Sequence, residues 1–447
     1  MINLILWLIG TMIVVLGPII LIHELGHFLS AKRAGVRVEE FGLGYPPRML
    51  KVWRGKGYLI LGSTKVIIPA NFRMPPGIRL GAVADLRTSR NNRGEFILTS
   101  ARALVDPAEE EARFHSQPVE GGLRLQGEIT TLEPGTIYSL NWLPLGGFVK
   151  MTGEEDPSDP MSLAAKSRGW RAVVLGSGVV LNIAAAIILF TLAFMSGRPE
   201  LWWSQIADVA PGSPAAAIGL APGDIVMRID GQSMASEAPN EALIEYTQSH
   251  LGQEMTLEIL RDTQVLELRA TPRTEWPPDQ GPLGISLRYT PSKPDIRRLP
   301  VGSALGQAFR QIGAIIQSIV SLPFRAAAGT TVPGEARPVS IIIILEILVL
   351  SLKTSIDWRL WYPILEQAAL MSLALGVTNL LPLPGLDGGR LLFVLVEAIR
   401  GRRVSPERES VVHVIGMLIM VVLMLAVMVY DFANPLISWD VMKEWLK

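Results

Sequence analysis

Two histidines four residues apart with a glutamate between them, His23-Glu24-Leu25-Gly26-His27, are the side chains of this chain best placed to do chemistry. On a helix, residues i and i+4 share a face, so both imidazoles can address one metal ion. Glu24 lies one position round, where it can take a proton from a water held by that ion. Of the five histidines (His23, His27, His115, His250 and His413), two fall here with the glutamate correctly spaced. A chance match, or two histidines capping an interfacial helix, is the bland alternative. The setting favours the metal: residues 2–22 carry no charge and the apolar pattern continues past His27. Ionisable groups at membrane depth are costly and mark functional sites.

Catalytic zinc uses three protein ligands and leaves the fourth position to water, so a third ligand is required. Glu39 and Glu40 follow Gly35 in a basic, solvated stretch, and Glu346 and Glu366 lie in apolar runs with no backbone break to aim them. Asp387 sits in Pro382-Leu383-Pro384-Gly385-Leu386-Asp387-Gly388-Gly389, a break that can present a carboxylate, and is the expected third ligand. Irregular backbone at membrane depth is tolerated only when buried in protein or lining a wet cavity.

Positioning these groups falls to membrane helices. About 20 residues cross the hydrocarbon, and spans are expected at 2–31, 171–196, 361–381 and 411–430. The first lacks a basic leader and a small-residue cleavage site, so it reads as a retained helix and not a signal peptide. Pro18 deprives the Val14 carbonyl of its helical partner and predicts a mild kink before the site. Lys32, Arg33 and Arg37 follow the span, which puts the metal near the cytoplasmic face. Asn182, the one strong polar group of the second span, reads equally as interhelical glue or as a substrate contact. For Asp387 to reach His23 the chain must cross an even number of times between them. The short apolar run Ile341–Leu352 is therefore expected to be interfacial or re-entrant. His413, at the start of the last span, is expected to be interfacial and no ligand.

The remainder is soluble in character. Residues 34–169 hold β-like runs such as Lys65–Pro69 and Glu95–Thr99, a charged helix or loop at Asp106–Arg113, and an inert, exposed His115. The apolar, aromatic Ile137–Met151 predicts a hairpin dipping into the interface. Residues 203–290 predict a β domain with a strand at Ile225–Ile229, a turn at Asp230-Gly231 and a hairpin around Arg261-Asp262-Thr263. Residues 303–325 form an amphipathic helix. The 49 % hydrophobic content is concentrated in a few blocks, the net charge is zero, and cysteine is absent. Nothing points to nucleic acid, and neither disulfides nor thiolate ligands are available.

The HELGH motif in the first span, a PDZ-like pattern after the second and Asn379-Leu380-Leu381-Pro382-Leu383-Pro384-Gly385-Leu386-Asp387-Gly388-Gly389-Arg390 after the third resemble the site-2 protease family of intramembrane zinc metalloproteases. The likeness is greatest to the bacterial regulator-of-sigma-E protease branch and covers about three quarters of the chain. It implies a polytopic α-helical membrane protein with four transmembrane helices, an inserted PDZ-like β domain at 203–290 outside the cell membrane, and a β-rich cytoplasmic insertion. It implies Zn2+ on His23, His27 and Asp387, with Glu24 as general base. It also implies substrate contacts by Asn379 and by the re-entrant β-loop around Gly146, Gly147 and Phe148. The implied substrates are single-pass transmembrane proteins such as anti-sigma factors, with peptide segments bound at the PDZ-like domain and the lipid bilayer as surroundings. A catalytically silent membrane scaffold or a metal transporter is the competing class. The chain departs from the branch in having one PDZ-like unit, an insertion of about 80 residues over 57–136, Ala374 where a second asparagine is common, and Arg337-Pro338 in place of Gly-Pro.

Overall fold

The lipid-length first run folds as one interrupted helix. The computed structural model describes residues 2–104, 113–154, 156–236, 238–277, 280–291, 296–328 and 339–433; Asp106–Glu111 and the Arg337-Pro338 pair lie outside them. Helix α1 (Ile2–Thr11) passes through a five-residue π-helical segment, Met12–Leu16, into α2 (Gly17–Arg33). Pro18 has no N–H to give Val14, and the wider turn replaces that bond with one from Gly17 N–H to the Met12 carbonyl. The kink expected at Pro18 is thus a π-bulge.

Beyond α2, β1 (Val38–Arg54) and β8 (Ile137–Met151) make a sheet in which both strands fold back. Phe41 is paired with Val149 on one side and Tyr138 on the other, and Leu43 with Gly147 and Leu140. The expected hairpin at 137–151 is therefore interlocked with residues 38–54, which the basic character of the sequence had suggested were solvated. Ala31, Val36, Val38, Met151, Leu163, Val174 and Val394 bury the junction.

Between β1 and β8, the insertion forms a small barrel of β2 (Gly57–Leu61), β3 (Thr64–Ile68), β4 (Val83–Arg90), β5 (Phe96–Ala103), β6 (His115–Val119) and β7 (Gly122–Glu133). Pairings β2–β3, β3–β5, β5–β4, β4–β7 and β7–β2 close a five-stranded ring, and β6 adds to β7. Alternate residues point inward, as period-two patterning requires: Leu59, Leu61, Val66, Ile68, Leu86, Leu98, Leu125 and Ile129 form the core. His115 is exposed at the start of β6.

Helix α3 (Arg168–Gly197) leads through the two-residue β9 (Arg198–Pro199) to the second β region. Its strands are β10 (Trp202–Val209), β11 (Ile225–Ile229), β12 (Gln232–Ser233), β13 (Met255–Arg261), β14 (Gln264–Ala270) and β15 (Ile285–Pro291), in the order β14-β13-β11-β10-β15 with β12 on β11. Two helices, α4 (Pro214–Ala217) and α5 (Pro239–Ser249), complete it, and β16 (Ile296–Arg297) pairs with β9. The expected strand at Ile225–Ile229 and the hairpin around Asp262 are present, with Asp230 and Asp262 at positive φ in their turns. Asp224 is buried and accepts hydrogen bonds from Arg261 Nε (2.8 Å), Arg261 Nη2 (2.7 Å) and Ala221 N–H (2.8 Å). Burial raises its pKa, and the Arg261 and Ala221 bonds outweigh that, leaving the carboxyl below the usual carboxylate range.

The C-terminal third is helical: α6 (Val301–Ala327), α7 (Ile341–Trp358), α8 (Tyr362–Leu380), α9 (Asp387–Arg400) and α10 (Pro406–Ala433). Helix α7 runs six residues past the apolar stretch that suggested it and takes in Lys353 and Asp357 as an i,i+4 pair. Among the described residues, Leu6–Arg33, Arg168–Gly197 and Pro406–Ala433 are long and apolar enough to cross a membrane. The chain divides into two units, Met1–Ile188 with Ile316–Leu352 and Gln367–Lys447, and Leu189–Ile315 with Lys353–Glu366. Helices α3, α6, α7 and α8 each contribute residues to both.

Candidate metal centre

The four-residue spacing on α2 puts His23 and His27 on one buried face, with their Nε2 atoms 3.2 Å apart and their rings edge to face. Asp387 is the first residue of α9 and brings Oδ2 to 3.1 Å from each of those nitrogens. A carboxylate at a helix N-terminus is favoured by the helix dipole. The two glycines after it let the helix start there: a Cβ on Gly388 would stand 2.3 Å from the Leu380 carbonyl oxygen, and one on Gly389 2.3 Å from that of Leu383. These three side chains are the one group of metal-ligand type among the described residues. Tetrahedral zinc, with bonds of about 2.0–2.2 Å, holds its ligand atoms roughly 3.3 Å apart. A triangle of 3.1, 3.1 and 3.2 Å therefore fits the ion almost without movement.

The outer nitrogens of the rings are held as well. His27 Nδ1 donates to the Val174 carbonyl at 2.8 Å, which leaves Nε2 as the free lone pair. His23 Nδ1 faces the amide of Asn182 at 3.3 Å, and Asn182 is fully buried. A half-turn of that amide makes its oxygen, otherwise without a partner, the acceptor for His23 Nδ1–H. Asn182, read from sequence as glue or substrate contact, thus lies behind a histidine. Helix α3 comes this close because of glycine: a Cβ on Gly178 would be 2.6 Å from both His23 Cε1 and His27 Nε2, and one on Gly26 2.5 Å from the Ser177 carbonyl oxygen. Near the start of α3, buried Arg171 pairs with Glu397 on α9 at 2.7 Å.

Glu24 stands beside the triangle, with the backbone of Val149 on β8 near its carboxylate. A cavity of about 540 Å³ opens in front, lined among others by His23, Glu24, His27, Tyr45, Asn379 and Asp387. Asn379 donates to the Leu375 carbonyl at 3.0 Å. Gly146, at φ +66°, and Gly147 press β8 against α2: a Cβ on Gly146 would be 2.3 Å from Ile20, and one on Gly147 3.0 Å from Leu21. The Phe148 ring packs by Tyr45, 6.3 Å between centroids.

None of the rival carboxylates joins the triangle. Glu39 pairs with Lys150 at 2.8 Å, and Glu366 accepts from the Tyr362 hydroxyl at 2.5 Å. Glu40 is buried and paired with Arg48, which, with Ser139 and Lys150, holds its carboxyl below the usual range against the effect of burial. This corrects the solvated setting expected for it. Glu346 is buried within α7. His413 is outside the triangle: it is buried, and its Nδ1 accepts from Gly385 N–H at 3.2 Å, behind the loop that carries Asp387. Sequence reasoning missed Tyr45, His413 and the ion pair between Arg390 and Glu154 at the cavity. No local pattern signals any of them, because each partner is distant in the chain.

The profile of peptidase family M50 matches residues 11–95 and 112–423. Zinc metalloprotease RasP of Bacillus licheniformis is 27 % identical over 434 residues, covering 93 % of this chain and 96 % of that one. The regulator of sigma-W protease RasP of Bacillus subtilis is 26 % identical over 437 residues, covering 93 % and 96 %. Zinc metalloprotease RasP of Geobacillus kaustophilus is 26 % identical over 444 residues, covering 93 % and 95 %.

Proposed function

The chain belongs to peptidase family M50, and from that premise we propose that His23, His27 and Asp387 hold its zinc, that Glu24 is the general base, and that substrate lies along β8. The protein is a membrane-embedded zinc metalloprotease. The observation that carries the assignment is the convergence of Nε2, Nε2 and Oδ2 at 3.1–3.2 Å beside Glu24 on a helix of membrane length. Bound there, zinc supplies Lewis acidity that polarises a carbonyl and makes water acidic near neutral pH.

The protein residues supply the rest. Glu24 accepts the proton of the attacking water at a carboxylate oxygen and returns it to the leaving amide nitrogen. The backbone of Val149 lies near that carboxylate, and both line the cavity. His27 and His23 keep their Nδ1 protons on Val174 and Asn182, which fixes the direction of both Nε2 lone pairs. Peptide bonds in a transmembrane helix are already hydrogen-bonded, so the substrate must unwind locally. Val149 and Met151 of β8 line the cavity while β8 pairs with β1, an arrangement that supports capture of an extended segment by strand addition. Asn379 contacts that segment, and Gly146, Gly147 and Phe148 shape the strand that receives it.

The substrates on this reading are single-pass membrane proteins of anti-sigma-factor type, supported by the sigma-W regulator named among the relatives. The β domain takes a peptide segment between α5 and the edge strand β15, where a cavity of about 510 Å³ is lined by Leu243, Ile244, Leu287 and Tyr289. That domain is extracytoplasmic and the metal lies near the cytoplasmic face. The chain then crosses twice between His23 and Asp387, in α3 and α8, an even number that returns Asp387 to the face of His23. On this topology α7 is interfacial or re-entrant.

The test is Glu24→Gln in the full chain. It keeps zinc at the wild-type stoichiometry and abolishes cleavage of a model transmembrane substrate. Cleavage at the wild-type rate would remove Glu24 from the mechanism, and a scaffold role would be favoured if wild type itself fails to cut.

A further inference from the structure

The insertion has no part in the metal site, yet it builds a second cavity with the β1–β8 sheet. This cavity, of about 420 Å³, is lined by Arg37 and Arg54 at the two ends of the β1 fold, by Arg79 and Leu80 in the β3–β4 connection, and by Glu39 and Leu132. Its volume is in the range of small-molecule sites. The charges around it do not balance. Arg37 is neutralised by Asp159 at 2.6 Å and Glu39 by Lys150 at 2.8 Å. Arg54 and Arg79 have no carboxylate partner among the described residues, and the half-buried Arg54 has its Nε enclosed without a hydrogen-bond acceptor. The field extends along β1: after a contribution from burial, Arg54, Arg48 and Arg73 push the Lys51 ammonium below the ordinary lysine value. Burying an unpaired guanidinium N–H is costly unless something supplies the acceptor.

The flank of the cavity says what supplies it. Met49, Leu50, Val52 and Trp53 of β1 and Leu80 beside Arg79 are all exposed, and Trp53 stacks on Tyr138 at 4.4 Å. A strand end that passes from exposed apolar and aromatic residues into Arg54, with Arg79 beside it, has the order of a bilayer boundary, where tryptophan sits at the headgroup level and cations at the phosphates. In a membrane-embedded chain, that boundary offers anionic headgroups.

We propose that the cavity between the Gly57–Glu133 barrel and the β1–β8 sheet binds the phosphate headgroup of an anionic phospholipid, with Arg54 and Arg79 as the recognising cations. The headgroup phosphate accepts from both guanidinium groups. The acyl chains run out along Leu50, Val52 and Leu80. Headgroup binding would tie the barrel to the membrane surface, next to the sheet that Glu24 leans on. The inference rests on the membrane location of the chain and not on the metal assignment.

The test uses the purified full chain in an uncharged detergent, with bound lipid counted by native mass spectrometry. Phosphatidylglycerol and phosphatidylcholine of the same acyl chains are titrated into wild type and into the double variant Arg54→Gln/Arg79→Gln. Wild type is expected to bind phosphatidylglycerol in preference to phosphatidylcholine. Since a cation at an anionic surface is worth about fivefold, the double variant is expected to bind it about 25-fold more weakly, with zinc content unchanged. Should the double variant fail to fold, Arg79→Gln in the exposed connection alone is expected to lose about fivefold. Equal binding of the two lipids, or an unchanged affinity in the folded variants, would overturn the proposal. Inorganic phosphate is the remaining arm: displacement of phosphatidylglycerol at matching concentrations would identify a free-phosphate site and overturn the lipid assignment.

Discussion

Gly176 and Gly178 lie two residues apart on α3, and their surroundings differ in a way that tests how the metal site is assembled. A Cβ on Gly176 meets nothing within 4 Å, whereas one on Gly178 would stand 2.6 Å from His23 Cε1, 2.6 Å from His27 Nε2 and 2.8 Å from His23 Nδ1. Ordinary contact begins at 3.4 Å, so roughly 0.8 Å must be found in a close-packed interior. The rings cannot swing away without giving up the bonds from His27 to Val174 and from His23 to Asn182. Loss of such outer contacts typically lowers metal affinity 10–100-fold, about 1.4–2.7 kcal/mol. Glycine to alanine inside a helix otherwise stabilises by roughly 0.5–1 kcal/mol. Gly176→Ala is therefore expected to bind zinc as wild type does and to melt no lower, while Gly178→Ala loses 10–100-fold in affinity and loses cleavage with it. The assay is chelator competition on the purified full chain, paired with cleavage of a transmembrane substrate. Equal zinc affinities in the two variants would refute the argument that α3 seats the imidazoles.

Asn182→Ala is expected to weaken zinc binding by about 10–100-fold, measured by the same competition; an unchanged affinity would return Asn182 to a helix-packing role. In the β domain, the Asp224 carboxyl is held below its unfolded pKa, so its contribution is present above the unfolded value and is lost as pH falls through the folded one. Asp224→Asn is expected to lower the stability of that domain by about 2 kcal/mol at neutral pH, and by progressively less on acidification, read from tryptophan fluorescence in denaturant titrations. A parallel pH dependence in wild type and variant would count against this. Single cysteines at the exposed Ser233, Thr263 and Asp357 are expected to label from outside intact cells, and those at Ser63 and Ser405 only after the membrane is opened. Asp357 labelled from inside, with Ser405 labelled from outside, would separate Asp387 from His23 and exclude the topology proposed.

Short-range order was legible in the chain because it is periodic. The i,i+4 spacing of His23 and His27, the charge-free run before them and the proline-glycine break around Asp387 are each contained within about a dozen residues, and helix geometry converts them directly into a shared face and an aimed carboxylate. The turns at Asp230 and Asp262 and the alternation in β2 and β3 were readable for the same reason. Tertiary structure alone decided what depends on partners far along the chain. Val38–Arg54 is charged and aromatic by composition, and only β8, nearly a hundred residues later, makes it a sheet and buries Glu40. The 57–136 insertion is a closed barrel because β7 reaches back to β2, which no local pattern specifies. Gly176 and Gly178 are equivalent by sequence, and the direction in which each faces decides that a Cβ on one would meet the His23 and His27 rings and a Cβ on the other nothing within 4 Å. Asn182 and His413 are likewise polar residues in largely apolar helices, and their roles come from the His23 ring and the Gly385 N–H that packing brings against them. Spacing along a helix sets which side chains can act together; which groups they meet is set by long-range packing, where the partner carries no mark in the local sequence.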